Sequence, residues 1–239
     1  MTTTLLHGGM VVCLGLEDTI YDDGYVLIED DRIVEVGATR NLSSRSAEQV
    51  IDCSGKLIMP GLVNAHTHTP MILFRGMAEG VSLLTLDGWL EAIRSLEEVM
   101  TADMVPPAVE VACGEMIRTG TTTFADQYFF TDQIIPVVKK SGMRAVLAYG
   151  IVELGDPAAR ERELNNLEAF LEEIGGDETG RVQGWLGPHA FFVDNSIQMM
   201  ETQRKLAHKY QAGMHIHIST TGEEDEITQS QFNMSAVKK

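Results

Sequence analysis

The chain has 239 residues, of which 44% are hydrophobic and 22% charged, the composition of an ordinary soluble globular protein. Its formal net charge of −17 argues against a nucleic-acid partner, because binding a phosphate backbone depends on Lys and Arg side chains. Three widely spaced cysteines fit reduced thiols better than a disulfide framework. The chain opens without a signal-peptide pattern, and none of its apolar runs is long enough to span a bilayer. We therefore expect a cytoplasmic protein with no membrane partner.

The first part of the chain is rich in short β-strand patterns. Residues 25–29 and 32–37 are apolar, β-branched runs, and the acidic pair Asp30-Asp31 lies between them. An acidic turn between two such runs predicts a β-hairpin. We expect residues 1–57 to form a separate β-rich domain.

From residue 58 onward, strand patterns alternate with helical patterns. Such alternation predicts βαβ units and a parallel sheet, hence an α/β fold over residues 58–239. An apolar run at 57–59 meets the break Pro60-Gly61, after which Leu62 and Val63 lead the first predicted strand to residue 68. The later predicted strands are 121–125, 145–149, 182–186 and 214–218. The predicted helices between them are 83–98, 103–119, 134–140, 161–174 and 197–210. The count is five β/α units.

Two histidines, His66 and His68, stand at the end of the first of these strands. Alternate side chains of a strand share a face, so both imidazoles point the same way. Pro70 ends the strand directly after them and places them at its carboxyl end, where parallel α/β folds carry their functional sites. Two adjacent imidazoles form half of a divalent-metal site. A pair of purely structural histidines is the alternative.

The motifs around this pair resemble the signature of the amidohydrolase superfamily. Within it, the chain is similar to the branch of methylthioadenosine and S-adenosylhomocysteine deaminases and the related triazine chlorohydrolases. The resemblance runs nearly end to end but covers only the first part of a family member. The motifs that carry it, in order, are Asp52-Cys53-Ser54-Gly55-Lys56, Pro60-Gly61, Asn64-Ala65-His66-Thr67-His68, Arg75-Gly76, Trp89-Leu90, Glu115-Met116, Gly120-Thr121-Thr122-Thr123, Gly187-Pro188-His189 and His215-Ile216-His217.

The resemblance implies a (β/α)8 TIM-type barrel, of which residues 58–239 supply about five β/α units before the chain is truncated after strand five. It also implies that residues 1–57 form the N-terminal part of a small β-sandwich. A barrel that lacks three units exposes unpaired strand edges, which favour pairing with another chain or aggregation. We therefore expect a piece of a longer protein, half of a split enzyme, or a chain of poor solubility.

The resemblance also implies a metal site in which His66, His68 and His217 bind one divalent ion. Zinc is expected, with iron or manganese as alternatives, and the ion would acidify a bound water. His215 shares a face with His217 one pleat deeper, and we interpret it as barrel interior, with ligation as the alternative. The family's remaining metal-site residues are a histidine after strand six and an aspartate after strand eight that activates the water. Both are expected beyond Lys239, so the resemblance implies an incomplete site within residues 58–239.

Four further residues match substrate-binding positions of the family. His189 would contact the substrate, Trp89 would stack on a base, Glu98 would accept ribose hydroxyls, and Arg162 would lie near a substrate carboxylate. The alternatives are a loop histidine, a helix-packing tryptophan and a helix-surface arginine. Asp126 is predicted to be a strand-end capping carboxylate and not a catalyst.

One position departs from the family pattern. The family places a proton-transferring glutamate three positions after the metal histidine of strand five, and this chain has Thr220 there. A hydroxyl titrates far too high to act as a general acid or base at neutral pH, so no catalytic residue is assigned. Glu223 or Glu224 could take its place. Otherwise the reaction differs from adenosine-type deamination, or activity is lost.

These features predict a metal-dependent hydrolase that acts on C–N or C–Cl bonds of a nitrogen heterocycle. The substrate would be a small molecule, a nucleoside or a purine-, pyrimidine- or triazine-like ring, and the reaction most in keeping with the motifs is deamination. The alternative is a catalytically inactive or incomplete relative that serves as a structural subunit. A homo-oligomer is expected for the full-length protein.

Overall fold

The structure is a computed structural model that describes residues 2–15, 18–43, 46–176, 179–190 and 193–238. The chain divides into two compact units, Met1–Gly61 and Leu62–Lys239. Among the described helices, none is both long enough and apolar enough to cross a membrane.

The first unit is a five-stranded sheet in the order β3-β2-β1-β4, with β5 also paired to β1. The predicted hairpin is present: β2 and β3 are antiparallel, Glu29 pairs with Arg32, and the turn residue Asp30 has a φ of 51°. That the sheet belongs to a sandwich remains a prediction. The strands are β1 (Thr3–Val12), β2 (Ile20–Glu29), β3 (Arg32–Ala38), β4 (Gln49–Asp52) and β5 (Leu57–Ile58).

The second unit is built on a parallel four-stranded sheet in the order β6-β7-β8-β9. Each strand is followed by helical structure, which confirms the predicted α/β class. The strands are β6 (Leu62–Thr67), β7 (Thr121–Tyr128), β8 (Arg144–Gly150) and β9 (Val182–Gly187).

Seven α-helical segments are described in this unit. The two shortest flank a π-helical turn at Leu90–Arg94 and with it form one helical stretch. Sequence signals fix the starts of the longer helices: the Asp156 side chain accepts from the Ala158 amide before α5, and Ser196 caps α6. The segments are α1 (Leu86–Trp89), α2 (Ser95–Glu97), α3 (Val105–Arg118), α4 (Thr131–Ser141), α5 (Pro157–Gly175), α6 (Ile197–Tyr210) and α7 (Gly222–Phe232).

The core of the second unit lies between the sheet and its helices. Strand residues Phe124, Leu147 and Leu186 are at most 1% exposed. Helix residues that pack against them are equally buried, among them Val109 and Leu167. This packing holds the sheet rigid, so the carboxyl ends of its strands form a fixed platform for side chains.

The fifth predicted strand, 214–218, does not form as a regular strand. Two isolated parallel bridges stand in its place, Leu186 to Met214 and Ala190 to His217. The His215 amide donates to the Leu186 carbonyl and the His217 amide to the His189 carbonyl, both at 2.9 Å. Because β9 ends at Gly187, the segment pairs first with the strand and then with the loop that follows it. The ladder is therefore interrupted.

Asp126, the predicted capping carboxylate, is 1% exposed and lies on β7. It accepts hydrogen bonds from the backbone amide and the hydroxyl of Thr69, the residue that follows His68. The interaction ties the end of β6 to its neighbour strand. Burial raises the pKa of Asp126 to about 7, although the Thr69 donors oppose the shift.

The raised pKa of Asp126 makes a testable contribution to stability. Between its ordinary pKa of 3.8 and about 7, the folded protein holds a proton that the unfolded chain has released. The free energy of unfolding should therefore fall as pH rises through this window and level off above it, by about 1.4 kcal/mol for each unit of pKa difference. Asp126→Asn should flatten this fall, as measured by urea unfolding at several pH values.

The matched control is Asp132→Asn, which removes an exposed carboxylate. It should leave the pH dependence of unfolding unchanged. Equal slopes for Asp126→Asn and the unmodified chain would show that Asp126 is ionised in the folded protein.

Candidate active site

Three histidines converge at the carboxyl end of the parallel sheet. His66 lies in β6, His68 directly follows it, and His217 pairs with the loop after β9. One ring nitrogen from each can be chosen so that all three atoms lie within 4.8 Å of one another. The structure therefore brings together the three predicted metal ligands.

Backbone carbonyls fix two of these rings. His68 donates from Nδ1 to the Gln127 carbonyl at 2.6 Å, and His217 donates from Nδ1 to the His189 carbonyl at 2.9 Å. Because a carbonyl can only accept, each neutral ring must carry its proton on Nδ1. The two Nε2 atoms, which are 3.1 Å apart, then face each other with lone pairs. Such a pair suits a shared cation.

Burial keeps both rings neutral. It lowers the pKa of His68 to about 4 and that of His217 to about 3. In each case the burial effect is the largest, and the nearby histidines add to it. Neutral imidazole is the form that binds metal ions, so the donor set fits a divalent ion such as zinc.

His215 lies beside the three histidines. Its Nε2 is 3.2 Å from Nδ1 of His66, so the two rings share one hydrogen bond. Burial lowers the pKa of His215. The bond leaves Nε2 of His66 free to serve as the ligand atom and gives His215 an orienting position, in keeping with the interior place predicted for it.

A cavity of about 200 Å³ opens beside His68 and His217. Its lining combines apolar side chains with polar and titratable ones. The apolar residues include Met71, Leu83, Leu86, Trp89, Ile93 and Val193. The polar and titratable residues include Glu97, His189, Asp194, Thr220, Thr221 and Glu224.

His189 lies in this cavity lining as predicted and is 7% exposed. Its Nδ1 is 2.5 Å from Oδ2 of Asp194, and Asp194 also accepts from Arg94 at 2.7 Å. The carboxylate fixes the proton on Nδ1, which leaves Nε2 as the free nitrogen of the ring. Gly187 permits this placement, since a Cβ there would lie 2.5 Å from the Tyr149 carbonyl oxygen.

Trp89 also lines the cavity, where its ring centroid lies 5.9 Å from that of His189. The guanidinium of Arg94 stacks over the indole at 4.9 Å. The indole is partly exposed.

Glu98, predicted to accept ribose hydroxyls, is exposed and lies outside the lining of this cavity. Its neighbour Glu97 belongs to the lining, and the Glu97 side chain is 8% exposed. Burial raises the pKa of Glu97, partly opposed by Arg94. Oε2 of Glu97 lies 4.0 Å from Nε of Arg94 and has no hydrogen-bond partner among the described residues. A buried carboxylate oxygen beside a cavity is available to ligand hydroxyls.

Arg162, predicted to lie near a substrate carboxylate, is not brought to the cavity by the described structure. Its side chain is 62% exposed on α5 and pairs with the adjacent Glu163 at 3.2 Å. It takes no part in the cavity lining. The helix turns this position toward solvent, the alternative that the sequence left open.

Thr220 lines the cavity, and Glu224 lies behind it in the first turn of α7. The Glu224 carboxylate is 3% exposed, and its Oε2 accepts from the Thr220 amide at 2.7 Å and the Thr220 hydroxyl at 3.2 Å. Oε1 of Glu224 has no hydrogen-bond partner among the described residues. A buried carboxylate thus adjoins the position where the family glutamate is replaced.

Helix spacing could have identified Glu97. Trp89, Ile93 and Glu97 follow one another at intervals of four, so they share one helix face, and all three line the cavity. Asp194 and its bond to His189 carry no comparable signal, because they depend on how the loop after β9 folds.

Comparisons with known proteins agree with this geometry. The model of the amidohydrolase family matches residues 57–237. A 5′-deoxyadenosine deaminase of Methanobrevibacter smithii is 39% identical over 202 residues, which cover 84% of this chain and 45% of that protein. A 5-methylthioadenosine/S-adenosylhomocysteine deaminase of Thermococcus onnurineus is 41% identical over 197 residues, covering 82% and 45%. The chain thus spans about half the length of the curated relatives it matches.

Solved structures share the fold. An adenosine deaminase from Xanthomonas campestris with bound zinc superposes with a TM-score of 0.88 at 26% identity, covering 99% of this chain and 54% of that one. An atrazine chlorohydrolase from Arthrobacter aurescens complexed with zinc gives 0.86 at 22% identity, covering 98% and 57%. These similarities indicate a TIM-barrel-like α/β fold. Together with the family match over most of the sequence, they lead to one conclusion: this chain belongs to the amidohydrolase family.

Proposed function

We propose that this chain carries the metal centre and the nucleoside-binding wall of a hydrolytic deaminase for adenosine-type nucleosides. The observation that carries the proposal is the pair of Nε2 lone pairs, on His68 and His217, that meet 3.1 Å apart beside a cavity containing Trp89 and Glu97. The relatives named as 5′-deoxyadenosine and 5-methylthioadenosine/S-adenosylhomocysteine deaminases support the substrate class.

The proposal includes the barrel itself. The parallel order of β6 to β9 and the two bridges made by residues 214–217 support five β/α units of a (β/α)8 barrel. Residues 1–57 would then contribute strands to a small sandwich.

His66, His68 and His217 would hold the metal ion, and zinc is the ion we propose because two structural neighbours contain it. When bound, the ion would lower the pKa of a water molecule and stabilise the negative charge that develops in the transition state. The protein's own residues position the substrate: the Trp89 indole offers a face for the purine, Glu97 accepts ribose hydroxyls, and His189, held by Asp194, presents Nε2.

Zinc binding tests the ligand assignment. The unmodified chain should bind one equivalent of zinc. Alanine at His66, His68 or His217 should each lower the zinc affinity by at least roughly 100-fold, because even the loss of an outer-shell partner lowers metal affinity about 10–100-fold. Isothermal titration calorimetry with metal analysis measures both quantities. His208→Ala, an exposed histidine on α6, is the control and should bind zinc normally. Equal zinc binding by His217→Ala and the unmodified chain would contradict the assignment.

Deamination itself tests the function. The zinc-loaded full-length protein should release ammonia from 5′-deoxyadenosine, and Glu97→Gln should lower kcat/KM roughly 10–100-fold, because a hydrogen bond to a charged group is worth about 1.5–3 kcal/mol. Glu98→Gln is the matched control and should leave kcat/KM unchanged. With free adenine, which lacks the ribose, Glu97→Gln should have no effect. Absence of ammonia release from every nucleoside tested would favour a non-catalytic relative.

The cavity also predicts discrimination against phosphorylated nucleosides. Neither Lys nor Arg occurs among the described residues that line it. A 5′-phosphate would therefore be buried without a cationic side chain as partner. The free-energy cost of burying it exceeds about 1.4 kcal/mol, which corresponds to a tenfold loss of affinity. Adenosine 5′-monophosphate should show a kcat/KM at least roughly tenfold below that of 5′-deoxyadenosine. Equal values for the two compounds would contradict this description of the cavity.

A further inference from the structure

Deamination needs a group that moves protons between the attacking water and the departing nitrogen. Thr220 cannot perform this role alone, because a hydroxyl neither gains nor loses a proton readily at neutral pH. A replacement must lie within reach of Thr220 and must be able to hold a proton.

Glu224 meets both conditions. Its carboxylate is 3% exposed, belongs to the cavity lining and accepts the Thr220 hydroxyl at 3.2 Å. The Thr220 amide donates to the same oxygen at 2.7 Å, which fixes the geometry. Thr220 is exposed at the cavity. The hydroxyl therefore lies between the cavity and the buried carboxylate.

The unpartnered oxygen of Glu224 distinguishes this arrangement from an ordinary helix cap. Thr221 already caps α7 by accepting from the Glu224 amide. Oε1 of Glu224 is buried and has no hydrogen-bond partner among the described residues. A purely structural carboxylate would be expected to satisfy both oxygens, since leaving a buried acceptor unpaired destabilises the fold.

We propose that Thr220 and Glu224 form a proton relay that replaces the missing glutamate. As the water oxygen bonds to the ring carbon, one water proton passes to Oγ1 of Thr220 while the Thr220 hydroxyl proton passes to Glu224. Glu224 then returns a proton to Oγ1 of Thr220, and the Thr220 hydroxyl gives its proton to the amino nitrogen. The C–N bond breaks and ammonia leaves. The sum is the amine plus water giving the hydroxylated ring plus ammonia, and both residues return to their starting states.

This relay rests on the proposed deaminase function, and substitutions in the zinc-loaded full chain test it. Glu224→Gln keeps the shape but cannot accept a proton, so kcat should fall roughly 10²–10⁴-fold, the usual contribution of general acid–base catalysis. Thr220→Val should cause a similar loss, and Thr220→Ser should rescue it. Glu226→Gln, an exposed residue of the same helix, is the charge-matched control. Zinc content and circular dichroism verify that each variant is folded.

A double variant separates proton transfer from a structural role. Thr220→Glu places a carboxylate directly in the cavity, so adding Glu224→Gln to it should cause little further loss. If Glu224 only supports α7, Glu224→Gln should lower kcat by the same factor in the unmodified chain and in the Thr220→Glu variant. That result would overturn the relay, as would nearly normal kcat in Glu224→Gln alone.

Infrared spectroscopy tests the relay without turnover and so separates its failure from that of the proposed function. The difference spectrum between the unmodified chain and Glu224→Gln, both loaded with zinc at neutral pH, should show an ionised carboxylate band. Thr220→Val should shift that band, because it removes the hydroxyl donor. A protonated carboxyl band, or a carboxylate band that Thr220→Val leaves in place, would overturn the relay whether or not the chain releases ammonia.

Discussion

The site depends on two hydrogen bonds from imidazole to backbone. The carbonyls of Gln127 and His189 accept from Nδ1 of His68 and His217 and leave two Nε2 lone pairs only 3.1 Å apart. Two nitrogen lone pairs at that distance repel each other unless a cation or a proton lies between them. Burial disfavours the proton, because it lowers the pKa of both rings. The backbone thus determines the chemistry at the edge of the sheet: strand β7 supplies the Gln127 carbonyl and the loop after β9 supplies the His189 carbonyl.

The parts of this arrangement that follow local periodicity could be predicted from sequence. Alternation along β6 put His66 and His68 on one face, and the Gly187-Pro188-His189 motif placed a histidine at the end of β9. Glu98 was predicted from the family motif, whereas the helix face that lines the cavity carries Glu97. The irregular pairing of residues 214–217 could not be foreseen, since it arises where β9 stops and the following loop continues the contacts. Arg162 points to solvent, where it pairs with Glu163 of the same helix.

The consequence of having Thr220 in place of the family glutamate depends on which residues surround it in the folded chain. In the sequence the position is simply a loss of a titratable group. In the structure, the buried carboxylate of Glu224 accepts a hydrogen bond from the Thr220 hydroxyl, and both residues line the cavity. Three residues separate the two, one of them the Thr221 cap, so the start of α7 both ends the loop and brings the carboxylate to the site.

The proposed site requires that the imidazoles of His66, His68 and His217 share one metal ion. X-ray absorption at the zinc edge, measured on the chain loaded with one equivalent of zinc, reports the ligands of that ion. We expect a first shell with three imidazole nitrogens at about 2.0–2.1 Å, together with the outer-shell scattering that is typical of imidazole rings. A shell made only of oxygen, or one with sulfur at about 2.3 Å, would contradict it.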